Sequence, residues 1–219
     1  MLAPAPRRFG AEKDSIFLLR NTMHIEPITL VGKRAKLVPL EEAHIPALHE
    51  TGHDPLIWQH SALRGASLEE MRQLVRSFLH DQERGEALPF TIIDQSTQQM
   101  VGSTQFHTIS HTHRNLEIGK TWLAPQVWGT HLNTECKYLL LRHCFETLEV
   151  LRVQFRTDAR NVRSQRAIER LGAQKEGILR HNAILPDGYV RDTVYYSLLL
   201  EEWPASKANL EGLLAMGQV

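Results

Sequence analysis

The sequence has few cysteines, no excess of charge and no long apolar run. Only two of its 219 residues are cysteine, and 25 Lys and Arg residues are balanced by 25 Asp and Glu residues. A net charge of zero gives no electrostatic argument for binding nucleic acid or an anionic membrane. No apolar run approaches the ~18 residues of a membrane-spanning helix. We therefore predict a globular protein whose partners include neither nucleic acid nor a membrane.

The two cysteines, Cys136 and Cys144, do not suit a disulfide. If they share one helix, they lie about 12 Å apart along its axis, because each residue advances a helix by ~1.5 Å. A disulfide requires Cα atoms within ~7 Å of each other. We predict reduced thiols packed in the core of a cytoplasmic protein. A catalytic cysteine is the alternative, but neither thiol has an obvious partner in the sequence.

The globular pattern begins near Met23. Residues 1–22 lack the apolar stretch and the cleavage site of a signal peptide, and we assign them to an N-terminal extension. Residues 23–204 have the length of one domain and contain no internal repeat. Residues 205–219 are predicted to form a polar, helical tail.

The order of the predicted elements favours an α+β fold. The patterns predict a strand, two helices, three antiparallel strands, a helix, a strand, a helix and a closing hairpin that turns at Pro186-Asp187-Gly188. The best-defined helix has an apolar stripe at i+4 spacing, made of Leu132, Cys136, Leu140, Cys144 and Leu148. Mixed elements with antiparallel meanders are typical of α+β folds rather than doubly wound ones.

Several helix ends are marked by the residues that cap them. Ser67 and Glu70 have the spacing of a capping box. Asn161 is a good N-cap for a helix that ends at Leu171, and Gly172 lies where a left-handed C-terminal cap belongs. A short helix is also predicted over Glu41–Glu50, weakened by Pro46.

The most informative segment is the junction between strand 116–123 and the helix that follows it. A loop with Gly129 that leads into a helix N-terminus presents free backbone N–H groups and a positive dipole end. That arrangement suits a pyrophosphate. The loop lacks the Gly-Lys-Ser/Thr ending of nucleotide hydrolases and the glycines of a dinucleotide fingerprint. A plain strand–turn–helix junction is the alternative.

Three motifs, in this order, resemble the GNAT superfamily of acyl-CoA-dependent N-acetyltransferases. Residues 116–119 resemble the strand that meets acetyl-CoA, and residues 126–131 resemble the Gln/Arg-x-x-Gly-x-Gly/Ala loop. Residues 161–180 resemble the RimJ/RimL-like branch, which includes enzymes that acetylate the N-termini of ribosomal proteins. The resemblance covers residues 24–204. It departs at His131, which replaces a small residue and either crowds the phosphates, demands another backbone angle or donates to a phosphate.

The resemblance implies an N-acetyltransferase that uses acetyl-CoA as co-substrate, attacked directly by the acceptor in a ternary complex. The strand that includes Trp122 and Leu123 would meet the pantetheine arm and supply an oxyanion donor. Asn161 and Ser164 would contact the same arm. The pyrophosphate would bind the loop and the helix start, at Val127, Trp128, Gly129, Thr130, His131, Leu132 and Asn133.

The predicted catalytic residues are Glu117 and Ser164. Glu117 holds a position where relatives often place a carboxylate, and we expect a partly dry cleft to raise its pKa, which suits a general base. The alternative is a solvated or ion-paired strand residue. Many relatives use a tyrosine as the acid at the position of Ile168, so Ser164, one turn earlier, is the substitute. A helix-start serine bonded to its own backbone is the alternative there.

The predicted acceptor is a primary amine, on a protein or peptide N-terminus or on a small molecule. A peptide α-amine has a pKa of ~7.7–8.0 and a lysine ~10.4, so the missing tyrosine mildly favours an α-amine. Residues 53–65, with Trp58 and His60, are predicted to form the acceptor wall opposite the closing hairpin. Simple packing of the aromatic ring is the alternative.

Three further hypotheses arise from the sequence. His107, His111 and His113 are close together, but no carboxylate or thiolate is spaced to complete a site, and we predict no metal. His131 and Ile168 leave open a catalytically weak acyl-CoA-binding regulatory module on the same fold. The hairpin Gly177–Leu200 is a candidate surface for forming a homodimer.

Overall fold

Eight strands form one mixed sheet in the computed structural model, which describes residues 23–216. The predicted extension 1–22 and residues 217–219 lie outside the described range. The α+β prediction is confirmed. The strands are β1 (Leu30–Val31), β2 (Ala35–Pro39), β3 (Ala87–Asp94), β4 (Gln99–Ser110), β5 (Asn115–Leu123), β6 (Arg152–Asp158), β7 (Gln174–Ile184) and β8 (Val190–Leu199).

Over the same described residues, five α-helices flank the sheet, and their ends follow the predicted caps. Ser67 Oγ accepts from the Glu70 N–H at 3.2 Å, Asn161 Oδ1 accepts from the Ser164 N–H at 3.0 Å, and Gly172 has φ +87°. Pro46 lies in the first helical turn, where no N–H is needed, so it does not weaken its helix. The helices are α1 (Ile45–Gly52), α2 (Leu68–Glu83), α3 (Leu132–Arg142), α4 (Val162–Arg170) and α5 (Trp203–Met216).

The sheet order is β1-β2-β3-β4-β5-β6-β8-β7, and β5 with β6 is the one parallel pair among these eight strands. These two strands pair at three positions, the last being Glu117 with Gln154. Beyond that point β5 continues to Leu123 and β6 continues to Asp158, but the two strands no longer pair with each other, so the sheet opens between them. We call the gap between residues 118–123 and residues 155–158 the β5–β6 cleft. It leaves backbone groups of both strands available to a ligand.

One face of the sheet carries the main core beneath α3. The predicted stripe is confirmed, because each of its five residues is buried, and it continues through a π-helical turn over His143–Thr147. Cys136 and Cys144 are free and buried, which confirms core thiols. Burial raises the pKa of Cys136 to about 12, so this thiol stays protonated near neutral pH.

Helix α5 packs on the same core. Trp203 and Leu210 are buried members of the core cluster, and Trp203 Nε1 donates to Glu146 at 2.9 Å. Residues 205–216, assigned from the sequence to a polar tail, therefore form most of a helix that is packed against the domain. The sequence pattern missed this because only a few positions of the helix face inward.

Glu135 joins the start of α3 to the edge of the sheet. Its carboxylate accepts from the backbone N–H groups of Lys33 at 2.6 Å, Arg34 at 2.9 Å and Ala35 at 2.7 Å. A Cβ on Gly32 would lie 2.5 Å from Glu135 Oε1, so this turn requires glycine. Both carboxylate oxygens are thus occupied by the protein's own backbone.

Lys137 is buried between α3 and the sheet without a carboxylate partner among residues 23–216. Its Nζ donates to Thr121 Oγ1 at 2.7 Å and to Thr104 Oγ1 at 3.3 Å. Burial lowers the pKa of Lys137 from 10.5 to about 8. Such a difference corresponds to about 3 kcal/mol of lost stability when the lysine is charged.

We expect Lys137→Met to raise the free energy of unfolding at pH 7 by about 1–3 kcal/mol. The folded pKa lies below the unfolded one, so the cost of burying the charge is full below pH 8 and disappears as the pH rises towards 10.5. Urea unfolding at pH 7 and pH 10 should show the gain only at pH 7. The exposed Lys175→Met is the matched control, and equal effects of both changes would contradict the prediction.

Candidate active site

The loop between β5 and α3 is held by two side chains of its own. Trp128 Nε1 donates to the Leu123 carbonyl at 2.8 Å, and Thr130 Oγ1 donates to the Val127 carbonyl at 2.8 Å. Gly129 has φ +74°, a conformation that costs a residue with a Cβ additional energy. A Cβ added to Gly129 would meet nothing within 4 Å, so this glycine is required by its backbone angle and not by crowding.

A row of backbone N–H groups at the start of α3 faces no partner within the described range. These are the N–H groups of Gly129, Thr130, His131, Asn133 and Thr134, whereas the Leu132 N–H donates to Thr130 Oγ1 at 3.3 Å. Asn133 Oδ1 is enclosed and also lacks a partner there. Several unpaired donors at the positive end of a helix form a site for an anion with several oxygens.

His131 is the last residue of this loop before α3. Its φ is −72°, an ordinary helical value, and its side chain is exposed. An exposed imidazole beside the free N–H groups leaves each alternative that the sequence offered for His131 in place.

The start of α4 forms the other side of the cleft. The Asn161 side chain is used in capping, as predicted, and the Ser164 N–H is the donor that it satisfies. The Ser164 hydroxyl is half-buried and has no partner among residues 23–216. The Arg163 guanidinium lies 3.6 Å from the centre of the Trp128 ring, and this contact brings the loop and α4 together across the mouth of the cleft.

Glu117 lies where β5 and β6 separate, and it is an ion-paired residue. The carboxylate is 2% exposed, and its Oε1 lies 2.7 Å from Arg156 Nε and 3.4 Å from His107 Nε2. Gln154 Nε2 donates to Oε2 at 3.0 Å. Burial alone would raise the pKa of Glu117, but His107, Arg156 and Gln154 outweigh it and lower that pKa. The predicted raised pKa is wrong, and Glu117 is ionised at neutral pH.

Several buried polar groups share the sheet face that carries Glu117. Alternate residues of β4, namely Ser103, Gln105 and His107, point to this face, and Ser103 is paired across the sheet with Trp122. Three of these side chains have enclosed polar atoms without hydrogen-bond partners in the described part of the chain: Ser103 Oγ, Gln105 Nε2 and Oε1, and Trp122 Nε1. His107 Nε2 instead faces Glu117 Oε1 at 3.4 Å. Unpaired buried polar atoms are costly, which is typical of a site that a ligand completes.

The loop 53–65 and the tip of the closing hairpin meet across a cavity of about 250 Å³. Eight residues between Pro55 and Ala66, together with Glu70, line one side of it, and Leu185, Pro186 and Asp187 line the other. Trp58 borders the cavity but is 8% exposed. Its ring centre lies 5.3 Å from that of Trp122, and its Nε1 donates to the Gly52 carbonyl at 3.0 Å. Trp58 therefore takes part in packing, while His60 is half-buried and its Nδ1 has no partner in the described range.

Arg156, Tyr195 and Arg191 belong to the same region, and the sequence analysis missed them. Arg156 and Tyr195 are directly paired between β6 and β8. Arg191 lies four residues before Tyr195 on β8, and this even spacing places both on the same face of the strand. All three therefore share a face with Glu117. Strand alternation was readable from the sequence, but the pairing of β6 with both β5 and β8 was not.

The clustered histidines separate in the fold. His107 contacts Glu117, His111 Nδ1 lies 2.8 Å from the Met23 carbonyl, and His113 is exposed. Over residues 23–216, no three His, Cys, Asp or Glu side chains are grouped to hold a metal ion. No helix in the same range is long and apolar enough to cross a membrane.

A family model for the acetyltransferase (GNAT) domain matches residues 34–174, which is more than half of the chain. The chain belongs to the GNAT acetyltransferase family. This agrees with the open β5–β6 cleft and the free N–H groups that follow it. The fold and enzyme class expected from the three sequence motifs are therefore confirmed.

Individual relatives support the same assignment. A "putative acetyltransferase from T. thermophilus" has a solved structure that is 40% identical, with a TM-score of 0.78 over 87% of this chain and 99% of that one. "Putative ribosomal N-acetyltransferase YdaF" of Bacillus subtilis (strain 168) is 33% identical over 49% of this chain and 58% of its own length. Mycobacterium smegmatis RimJ in complex with CoA-disulfide has a TM-score of 0.73 at 22% identity, covers 88% of this chain and 96% of its own, and shows the shared fold. These similarities agree with the RimJ/RimL-like resemblance.

Proposed function

We propose that this GNAT enzyme transfers an acetyl group from acetyl-CoA to a primary amine, which attacks the thioester directly in a ternary complex. One observation carries the proposal: the unpaired N–H groups of Gly129, Thr130, His131, Asn133 and Thr134 adjoin the β5–β6 cleft. The diphosphate of acetyl-CoA fits the row of N–H groups, and its extended pantetheine arm fits the cleft. Acetyl-CoA, when bound, supplies the acetyl group as a thioester.

The residues proposed to hold the donor lie in two places. The N–H groups of Gly129, Thr130, His131 and Asn133 hold the diphosphate, and Val127, Trp128 and Leu132 fix the loop in shape around them. The backbone of β5 beyond Glu117, including Trp122 and Leu123, pairs with the arm as an additional strand would. One of its N–H groups stabilises the negative charge that develops on the thioester oxygen. Asn161, at the start of α4, borders the same arm.

Glu117 is the proposed base, acting through a water molecule. Its lowered pKa makes it a weak base towards a free ammonium ion, but keeps it ionised at neutral pH. The protons of the amine become more acidic as its nitrogen bonds to carbon, so a weak base at this position suffices. The half-buried Ser164 hydroxyl, which has no partner among residues 23–216, is the proposed proton donor to the departing thiolate.

The proposed acceptor is a protein or peptide N-terminus or a small-molecule amine that enters between loop 53–65 and the closing hairpin. The 250 Å³ cavity there supports this route, because Trp58 lines it, and His60 belongs to the same loop. We propose both as residues that contact the acceptor. The name of the relative YdaF refers to a ribosomal acceptor, which agrees with an N-terminal amine.

The test is the release of free thiol from acetyl-CoA in the presence of a panel of amines and N-terminal peptides. We expect acceptor-dependent release above the background without acceptor, and an acetylated amine confirmed by mass spectrometry. Binding of acetyl-CoA without turnover of any amine would instead favour the catalytically weak regulatory module. Ile168, in place of the usual tyrosine, is the observation that motivates this second candidate.

We also propose a cytoplasmic location and a homodimer formed through the closing hairpin. Two buried free thiols suit a reducing compartment. β7 is an edge strand with exposed apolar side chains, among them Ile178, Leu179 and Ile184, of which Ile184 is 74% exposed. Light scattering on the purified protein tests the dimer, and a strictly monomeric mass at micromolar concentration would exclude it.

A further inference from the structure

Three arginines, Arg156, Arg160 and Arg191, lie near the carboxylates of Glu117 and Asp158 at the end of β6. Arg156 is paired with Glu117 at 2.7 Å, and Arg160 is paired with Asp158 through two nitrogens, at 2.8 Å and 3.1 Å. The remaining arginine, Arg191, makes one side-chain hydrogen bond, from its Nε to Thr193 Oγ1 at 3.1 Å. In residues 23–216, no carboxylate lies within ion-pair distance of Arg191. Asp187 also acts electrostatically on Arg160. Within the described range, Arg191 is therefore the arginine of this group that has no ion pair of its own.

Arg191 is half-buried, so water only partly compensates its charge. It interacts electrostatically with Arg156, which is unfavourable, while Asp158 and Glu117 act in the opposite sense. Both of those carboxylates are already bonded to other arginines. A guanidinium held in a partly dry place beside a second guanidinium is a recognition site for an anion.

Arg191 lies near the start of β8, just after the hairpin tip that lines the proposed entrance for the acceptor. It shares a strand face with Tyr195, the cross-strand partner of Arg156. Four residues before it, Asp187 ends the hairpin side of the 250 Å³ cavity. An anion bound to Arg191 would therefore belong to the molecule that enters through this cavity, rather than to the donor at the start of α3.

We infer that the acceptor is a primary amine that carries a carboxylate, and that Arg191 recognises this carboxylate. The inference rests on the proposed function and narrows its substrate class. Two sources share this chemistry: a free amino acid, and a peptide N-terminus with an acidic side chain close to the amine. The unpaired nitrogens of the Arg191 guanidinium bond to the carboxylate while the amine lies beside Glu117.

The experiment compares matched acids and amides as acceptors. Peptide pairs are Ser-Glu-Ala-Ala-amide with Ser-Gln-Ala-Ala-amide, and the small-molecule pair is methionine with methioninamide. We expect the wild type to favour the acid about tenfold in kcat/KM in at least one pair, since a charge-assisted bond replaces a neutral one. The pair that shows the preference distinguishes a peptide from a free amino acid.

Two variants separate recognition from folding. Arg191→Gln should remove most of the preference by slowing the acid while leaving the amide within about twofold. Arg170→Gln, at an exposed arginine at the end of α4, should keep the full preference. Equal rates for acid and amide in the wild type, or an equal loss for both in Arg191→Gln, would overturn the inference.

Calorimetry of the same pairs in the presence of CoA gives a readout that does not require turnover. Tighter binding of an acid than of its amide, lost in Arg191→Gln, supports the recognition of a carboxylate even if no acceptor is acetylated. Acid-selective binding without acetylation would contradict the proposed acetyl transfer but support a ligand that carries a carboxylate. If amines are acetylated but no acid is preferred over its amide, the proposed acetyl transfer is supported and the recognition of a carboxylate by Arg191 is overturned.

Discussion

Replacing Glu117 with glutamine is expected to lower kcat by about a hundredfold or more, the usual loss when a general base is removed. The glutamine keeps the size of the side chain and its contact with Gln154, but it cannot accept a proton or balance Arg156. Steady-state kinetics with a turned-over amine measures the effect, and KM for acetyl-CoA should change little. Melting temperatures measured alongside show whether the variant is folded.

A matched variant separates catalysis from the loss of an ion pair. Glu176 pairs with Arg152 at 2.5 Å and accepts from Ser197 Oγ at 2.8 Å, on the outer strands of the same sheet. Glu176→Gln should therefore reduce stability without reducing kcat more than about twofold. Similar losses of kcat in both variants would show that Glu117 acts through the fold and is not the base.

The lowered pKa of Glu117 also has consequences for pH dependence. Glu117 stays ionised through the neutral range. The fall of kcat/KM at low pH should therefore reflect the pKa of the acceptor amine, which is ~7.7–8.0 for an α-amine. A folded pKa below the unfolded one contributes stability that is present above the unfolded value and is lost as pH falls through the folded value. The wild type should lose this contribution in acid, whereas Glu117→Gln lacks it throughout.

Replacing Gly129 with valine is expected to raise KM for acetyl-CoA by about a hundredfold, because the loop then loses the conformation that aims its N–H groups at the diphosphate. At φ +74° a β-branched residue is strongly disfavoured, and relief of that strain rotates the peptide groups of Gly129 and Thr130. Several charge-assisted bonds to the diphosphate weaken together. Calorimetric titration with CoA measures the loss directly.

Gly85 offers a control with the same backbone requirement. It has φ +72° at the end of α2, and a Cβ there would also meet nothing within 4 Å. Gly85→Val should cost a similar amount of stability while binding CoA as the wild type does. If both valine variants bind CoA normally, the diphosphate does not lie on this loop and the proposed function loses its main support.

The local elements of this chain are encoded close to where they occur. The i+4 stripe from Leu132 to Leu148, the Ser67–Glu70 capping box and the Asn161 cap each depend on residues within a few helical turns. The turn around Gly129 is equally local, because only its own φ requires glycine. The family resemblance rested on three equally local motifs, at residues 116–119, 126–131 and 161–180, and the family model confirms it.

The properties of the site depended on strands that are distant in sequence. The pKa of Glu117 was predicted in the wrong direction because its partners come from β4 and β6, at positions 107, 154 and 156, and no local pattern reveals that pairing. For the same reason Arg191 drew no attention, since its lack of a carboxylate partner is visible only once Asp158 is seen bonded to Arg160. Trp58 likewise became a packing residue when Trp122 was placed beside it.

The α+β order of elements, the caps, the buried stripe of α3 and the loop that presents backbone N–H groups could all be read from the chain before it was folded, because each depends on short-range periodicity and backbone preference. Only the assembled sheet reveals where β5 and β6 separate, which charges surround Glu117 and which arginine is left unmatched. Electrostatic environment is set by groups brought together from β4, β5, β6 and β8, and those distances are fixed only when the sheet forms.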